Sequence, residues 1–181
     1  GRQPAQGLWA LQQLGGALSL VAEAEDLSQA MSAYEPAYQR SFARHTLALL
    51  GLAQSSDLRD DLLFLQDFYG WMTESGANWP QTFFDWFGGE ASLDRAAQSP
   101  QSDLYAATAF APIREQLTAR AGERTDRLAH AYFQQSTPVD LFIDTVETLW
   151  SDIAEQDNWD PLNAHLAEME RARQAYVWSP G

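Results

Sequence analysis

The sequence predicts an all-α protein, a multi-helix bundle of about seven or eight helices built from 181 residues as a single domain. Apolar residues recur at spacings of three and four along most of the chain, which is the period of an amphipathic helix. Alternating strand patterns and short hairpin turn sequences do not occur. Capping residues and prolines mark the starts of several helical segments. With 45% apolar residues, the chain can bury a substantial core.

The first helix is predicted from one apolar stripe, formed by Leu8, Leu11, Leu14, Leu18 and Val21. Pro4 is acceptable in its first turn, where a backbone N–H has no helical partner anyway. Gly15 and Gly16 interrupt the stripe. Two adjacent glycines weaken a helix, so we expect them to allow close packing or a bend.

A second helix is expected to begin at Asp26, with Gln29 reaching back in a variant of the capping box. Pro36 falls inside the helical pattern, which predicts a break over residues 33–35. Gly51 suits the end of this segment. The expected core stripe consists of Leu27, Met31, Tyr34, Tyr38, Phe42, His45 and Leu49.

The third and fourth helices have clear start signals. Asp57 caps the third, and Asn78, followed by Pro80, starts a short fourth that stops at Gly88 and Gly89. Residues 88–102 are small and polar, so we expect a loop there and, if the domain is divided at all, the boundary. The stripe of the third helix comprises Leu58, Leu62, Leu65, Phe68, Tyr69 and Met72.

Four more helical segments are predicted in the second half. One covers residues 103–121 with a local break at Pro112, and a shorter one passes through Leu128 and Tyr132. Two others begin where a capping residue precedes a proline. These starts are Thr137-Pro138 and Asp160-Pro161.

The composition excludes several kinds of function. All eleven basic residues are arginine, so the chain cannot supply the phosphate-binding lysine of a kinase or a P-loop protein. With 25 acidic residues the net charge is −14, and we expect no nucleic-acid partner. The absence of cysteine excludes disulfides and thiolate catalysis. No membrane-length apolar run or signal segment occurs, so we expect a cytoplasmic protein without a membrane partner.

The densest aromatic cluster is the candidate partner-binding surface. Trp79, Phe83 and Phe87 are four residues apart and are expected to face the core. This leaves Phe84 and Trp86 as the pair expected at the surface, where they could recognise a protein partner.

Other polar groups favour structural roles. Arg40 and Arg44 lie one turn apart and could reach an anion, but pairing with neighbouring acids is expected. His45 is interpreted as a core histidine. An acidic series is expected on a solvated helix face, although it could in principle hold a metal. This series is Asp140, Asp144 and Glu147.

Several segments resemble the selenoprotein O family of AMP-transferring pseudokinases. The most specific are residues 3–14 (QPAQGLWALQQL), 34–38 (YEPAY) and 45–52 (HTLALLGL). Weaker matches are 76–83 (GANWPQTF) and 137–141 (TPVDL). Two features depart from the family: Ile143-Asp144 replaces an arginine-asparagine pair, and the terminal cysteine or selenocysteine has no counterpart before Gly181.

The resemblance implies a parent protein with a kinase-like fold that uses ATP with magnesium or manganese to transfer AMP to hydroxyl side chains of protein substrates. The segments resembled follow the family's metal-binding aspartate. We therefore expect the catalytic, cofactor-binding and metal-binding residues to precede Gly1, and none of them to lie in this chain. This chain would be the helical C-terminal part, with the catalytic N-terminal region and the protein substrates as partners.

Two alternatives remain open from the sequence. One is a free-standing helical interaction module that binds a partner through an aromatic patch. The other is an independent carboxylate-metal enzyme.

Overall fold

The computed structural model describes residues 3–176, and these residues form helices without a β-strand. The predicted all-α class is therefore confirmed. The α-helices are α1 (Gln3–Leu18), α2 (Ala24–Ser32), α3 (Tyr34–Leu49), α4 (Leu58–Ser75), α5 (Trp79–Asp85), α6 (Leu93–Ala97), α7 (Ser102–Ala106), α8 (Ala111–Ala119), α9 (Ile143–Gln156) and α10 (Asp160–Tyr176). Short 3₁₀ turns occupy Gly89–Ser92, Thr108–Phe110, Thr125–Ala129 and Ala131–Gln134.

The main core lies where α3 and α4 meet the short helices α5 to α8. Helix α4 contributes Leu65, Phe68 and Met72 of its predicted stripe, and the later helices add aromatic residues. The stripe predicted for α3 is wrong: that helix buries Ala43 and Leu47 instead, and Phe42 of the predicted stripe is only partly buried against the core. The largest fully buried members of the main core include Phe64, Phe68, Trp86 and Phe110. A second, smaller core forms beneath α10 from Phe84, Phe87, Tyr132, Phe133 and Ala175.

Helices α1, α2 and α9 lie outside these cores. Helices α1 and α2 pack on each other, and α2 packs on α3. Residues 4–18 of α1 and all residues of α2 are at least partly exposed. Tyr34 ties α1 to α3 because its hydroxyl donates to the carbonyl of Pro4 at 3.1 Å. Gly15 allows the approach of α2, since a Cβ there would lie 3.1 Å from the sulfur of Met31. Helix α9, near the other end, packs on α10 and likewise buries no residue completely.

Several predicted helix boundaries are confirmed. The break at Pro36 falls at Ala33, between α2 and α3, and leaves the proline in the first turn of α3. Asp57 caps α4 by accepting from the backbone N–H of Arg59 at 2.9 Å. Asn78 caps α5 in the same way, at 3.0 Å from the N–H of Gln81. Gly51 follows α3 in the left-handed conformation.

The predicted cap at Asp26 is wrong. Helix α2 begins two residues earlier, at Ala24, with Glu23 in the extended conformation that precedes a helix. Asp26 therefore lies in the first helical turn, where its charge still favours the positive end of the helix dipole.

The helix predicted to start at Thr137-Pro138 begins later, at Ile143. Backbone groups just before it are used in tertiary hydrogen bonds. The N–H of Val139 donates to the Tyr132 hydroxyl at 3.1 Å, and the carbonyl of Ser136 accepts from the Gln81 amide at 2.9 Å. These contacts replace a local helical turn, an example of tertiary context overriding a local signal.

Residues 88–102 are not the open loop that their composition predicts. They form the turn Gly89–Ser92 and helix α6, and they bury Ser92, Ala96 and Ser99 against the rest of the molecule. Small side chains there serve close packing.

His45 also differs from its prediction: it is exposed, and its Nδ1 lies 2.7 Å from the carbonyl of Ser41 one turn before it.

We predict that Gly89→Ala lowers the free energy of unfolding by about 2 kcal/mol. Gly89 has a φ of +60°, and a Cβ there would lie 2.6 Å from the carbonyl oxygen of Leu117. Urea denaturation followed by circular dichroism measures the change. Gly70→Ala is the matched control, because Gly70 lies within α4 and a Cβ there meets nothing within 4 Å. Alanine should stabilise that helix by up to about 1 kcal/mol, and equal losses at both sites would contradict the prediction.

Candidate functional site

The most elaborate polar centre surrounds Asp85, the last residue of α5. Its side chain is 1% exposed, and its partners include Ser99, which follows α6, and Tyr105 of α7. One carboxylate oxygen, Oδ2, accepts from the hydroxyls of Ser99 at 2.5 Å and Tyr105 at 2.8 Å. The other, Oδ1, accepts from the Gln81 amide at 2.8 Å. Asp85 therefore joins residues that are distant in the sequence.

Burial governs the electrostatics of this centre. Loss of hydration raises the pKa of Asp85 above its ordinary value, although its three hydrogen-bond donors oppose the change. Burial also raises the pKa of Tyr105, and the neighbouring Asp85 charge adds to that effect. Tyr105 thus acts as a hydroxyl donor in this centre.

Arg95 of α6 lies beside Asp85 and next to two aromatic rings that stack on each other. Its guanidinium carbon is 5.0 Å from the ring centres of both Phe84 and Phe133. Its Nη2 donates to the carbonyls of Asp85 at 3.3 Å and Phe87 at 3.2 Å. Arginine suits this position because its flat cation stacks on aromatic faces.

A cavity of about 360 Å³ opens next to this centre. Both carboxylate oxygens of Asp85 are already engaged by protein donors, so the carboxylate is not free to accept a proton from a substrate in the cavity. The geometry supports a structural junction. Side chains around the cavity include Asp85, Arg95, Ser99, Phe133 and Gln134.

Asp61 and Arg120 form a second buried polar centre. Asp61, in the first turn of α4, is 1% exposed and lies 2.5 Å from Nη1 of Arg120. The backbone N–H of Ser55 donates to the same carboxylate at 3.2 Å. Arg120 also pairs with the exposed Asp60 at 2.7 Å and stacks 4.5 Å from the ring centre of Phe64. These ion pairs link the C-terminal end of α8 to the first turn of α4.

The predicted surface pair, Phe84 and Trp86, is buried. Phe84 is 0% and Trp86 1% exposed, whereas Trp79, which was expected to face the core, is 43% exposed. Helix α5 is short and ends at Asp85, so helical spacing does not describe Trp86. Phe84 packs in the smaller core against Tyr132 and Phe133, elements that the sequence alone did not place nearby. These two residues therefore provide no partner-binding surface.

Arg40 and Arg44 line a cleft of about 480 Å³ together with Gln54 and Ser56. The predicted pairing with neighbouring acids is wrong: within residues 3–176 neither arginine forms an ion pair. Asp61 also lines this cleft, but its carboxylate is occupied by Arg120.

The acidic series is not continuous on one helix. Asp140 precedes α9 and accepts from the Thr145 hydroxyl at 2.7 Å, whereas Asp144 and Glu147 lie within α9. Among the described residues, no three metal-binding side chains come together.

Sequence reasoning missed Asp85 and Arg95 as the main polar centre. A signal was present, because Asp85 is the single acid within the aromatic run 83–87. An acid surrounded by four aromatic residues indicates burial, and a buried acid requires hydrogen-bond donors. The donors Ser99 and Tyr105 could not be identified without the fold.

Comparison with known proteins identifies relatives of this chain. The family model described as "Protein adenylyltransferase SelO" matches residues 1–170. The protein nucleotidyltransferase YdiU of Myxococcus xanthus is 33% identical over 128 residues, which cover 71% of this chain and 24% of the relative. The protein of the same name from Chromohalobacter salexigens is 38% identical over 82 residues, or 45% of this chain and 16% of the relative.

A third relative, the YdiU protein of Yersinia pseudotuberculosis, is 38% identical over 85 residues. No solved structure matches. The chain thus spans a quarter or less of the length of the curated relatives it matches. The family match covers nearly the whole sequence and agrees with the resemblance seen in its first 52 residues. The chain belongs to the SelO family of protein adenylyltransferases.

Proposed function

We propose that this chain is the non-catalytic helical C-terminal portion of a SelO-type protein that transfers AMP from ATP to hydroxyl side chains of other proteins. The family match over residues 1–170, set against a coverage of 24% or less of the relatives, carries the proposal. The nucleotidyltransferase activity named for the relatives would belong to the complete protein. This chain would support the catalytic region, which is its expected partner.

We expect this chain to hold no site of its own for ATP and a metal ion, and three observations support this expectation. There is no lysine to pair with phosphates. The buried carboxylates Asp85 and Asp61 are engaged by donors of the chain itself. Magnesium and manganese bind through carboxylate and phosphate oxygens, and the described residues do not assemble such a site. No catalytic step is therefore assigned to this chain.

The described residues contain no helix long and apolar enough to cross a membrane. The charge of −14 opposes binding to nucleic acid. A cytoplasmic location and a protein partner form part of the proposal.

We predict that the isolated 181 residues neither bind ATP nor label themselves with AMP. Isothermal titration calorimetry with ATP and magnesium, repeated with manganese, measures binding directly. Incubation with labelled ATP detects AMP transfer. A chimera, in which this chain replaces the stretch it matches in the M. xanthus relative, should transfer AMP, because the relative supplies the catalytic residues.

Two controls make the result specific. The unmodified M. xanthus relative should be active, and a form lacking the matching stretch should lose activity. Micromolar ATP binding by the isolated chain would contradict the proposed non-catalytic role. An inactive chimera beside an active relative would contradict the supporting role.

A further inference from the structure

Helix α9 presents an apolar stripe that nothing in the described chain covers. Ile143 is 67%, Val146 42% and Trp150 63% exposed. They are spaced three and four residues apart, so they share one helix face. Phe142, immediately before the helix, is also exposed. Exposed apolar side chains grouped on one helix face are a candidate interaction surface.

The apolar side of α9 is wider than its contact with α10. On the inner side, Thr145, Leu149 and Ile153 are half-buried, and Thr145 borders the same cavity as His165 of α10. The exposed stripe lies beside this packed face. The apolar surface of α9 is thus wide enough to contact two neighbouring elements. Within the described chain, α10 contacts the inner part of this surface, and the exposed stripe has no neighbour. A second neighbour would extend the existing α9–α10 interface.

The charge around the stripe indicates what the second neighbour is like. Helix α9 contains four acidic residues, Asp144, Glu147, Asp152 and Glu155, and no basic residue. A second copy of this chain would bring two such acidic helices together, in molecules that each carry a charge of −14. Like charges at an interface oppose association. A complementary partner would present an apolar groove with basic residues on its rim.

We propose that the stripe formed by Ile143, Val146 and Trp150 is the surface on which this chain docks against the catalytic region of the SelO-type protein. The inference rests on the proposed function and adds the contact face. Helix α9 lies within the family match, which extends to residue 170. The relatives are at least four times longer than the stretch they share with this chain, so the remainder is large enough to cover the stripe.

Cysteine labelling tests the docking face, because the chain contains no cysteine of its own. Val146→Cys places a thiol on the stripe, and Thr148→Cys places one on the exposed acidic side of the same helix. Each variant is made in the isolated chain and in the M. xanthus chimera. Maleimide labelling is followed over time by mass spectrometry of the α9 peptide, and circular dichroism checks that each variant is folded.

In the isolated chain, both thiols should react at similar rates. In the chimera, we expect labelling at position 146 to slow at least tenfold and labelling at position 148 to change less than twofold. A chimera that transfers AMP but labels equally fast at position 146 would overturn the docking face and leave the proposed function standing. A chimera that neither transfers AMP nor protects position 146 would refute both.

Discussion

Arg120→Ala is expected to lower the free energy of unfolding by about 3–5 kcal/mol. The arginine neutralises Asp61, whose side chain is 1% exposed, and its removal leaves that carboxylate buried with the backbone N–H of Ser55 as its remaining partner. A buried charge without a counter-charge is among the most destabilising features of a protein. Loss of stacking on Phe64 adds to the effect.

The measurement is urea denaturation at neutral pH, with Arg173→Ala as the matched control. Arg173 also pairs with an acid, Glu170, at 2.6 Å, but both side chains are about half exposed. Water and salt weaken such a pair, so its loss should cost less than about 1 kcal/mol. Similar losses for the two variants would contradict the assigned role of Arg120.

A double variant separates the lost charge pair from lost packing. Asp61→Asn combined with Arg120→Ala removes the buried charge together with its partner. This double variant should be more stable than Arg120→Ala alone, because no unpaired charge remains. If it is less stable than the single variant, the destabilisation comes from packing.

Asp85→Ala is expected to destabilise the fold by about 3 kcal/mol or more. The change removes the acceptor for three buried donors, the Gln81 amide and the hydroxyls of Ser99 and Tyr105. Each unsatisfied buried group costs about 1–3 kcal/mol. Asp94→Ala, on the exposed side of α6, is the control and should change stability by less than about 0.5 kcal/mol.

Asp85→Asn keeps the shape of the side chain and removes its ability to ionise, so it isolates the contribution of the charge to stability. The pKa of Asp85 is raised in the folded protein, so the folded state holds the proton more tightly than the unfolded state does. This contribution to stability is complete at low pH, below the unfolded pKa, and is lost as pH rises through the raised folded pKa. As pH rises from the unfolded pKa of Asp85 through its raised folded pKa, the wild type should therefore lose stability relative to Asp85→Asn, which has no carboxyl group to ionise. A difference that does not change with pH would contradict the raised pKa.

The helices of the first half could be predicted because their signals are local. Asp57 and Asn78 cap the helices that follow them, and Pro36 marks the boundary near Ala33. Capping and proline effects depend on a few neighbouring backbone groups. Where backbone groups bond to distant partners, the same signals give a wrong helix start. The helix predicted from Thr137-Pro138 begins later because the N–H of Val139 bonds to the hydroxyl of Tyr132.

The polar centres could not be predicted, because their members are far apart in the sequence. Asp61 and Arg120 are 59 residues apart, and Asp85 and Tyr105 are 20 apart. Composition indicated that acids outnumber bases but not which acids are buried. The prediction that Phe84 is exposed was wrong for the same reason, since Tyr132 and Phe133 from the second half of the chain cover its ring.

By itself, the sequence determined the all-α class, most helix starts in the first half and the absence of lysine and cysteine side chains, because these follow from residue type and local spacing. Family membership was also visible in residues 3–52, and the family match bears it out. Only the tertiary structure decided that Phe84 and Trp86 are buried and that Ile143, Val146 and Trp150 are exposed. The physical reason is that hydrophobic burial depends on which segments meet in space. An amphipathic pattern shows that a helix has an apolar face, while the packing of the chain determines whether that face is covered.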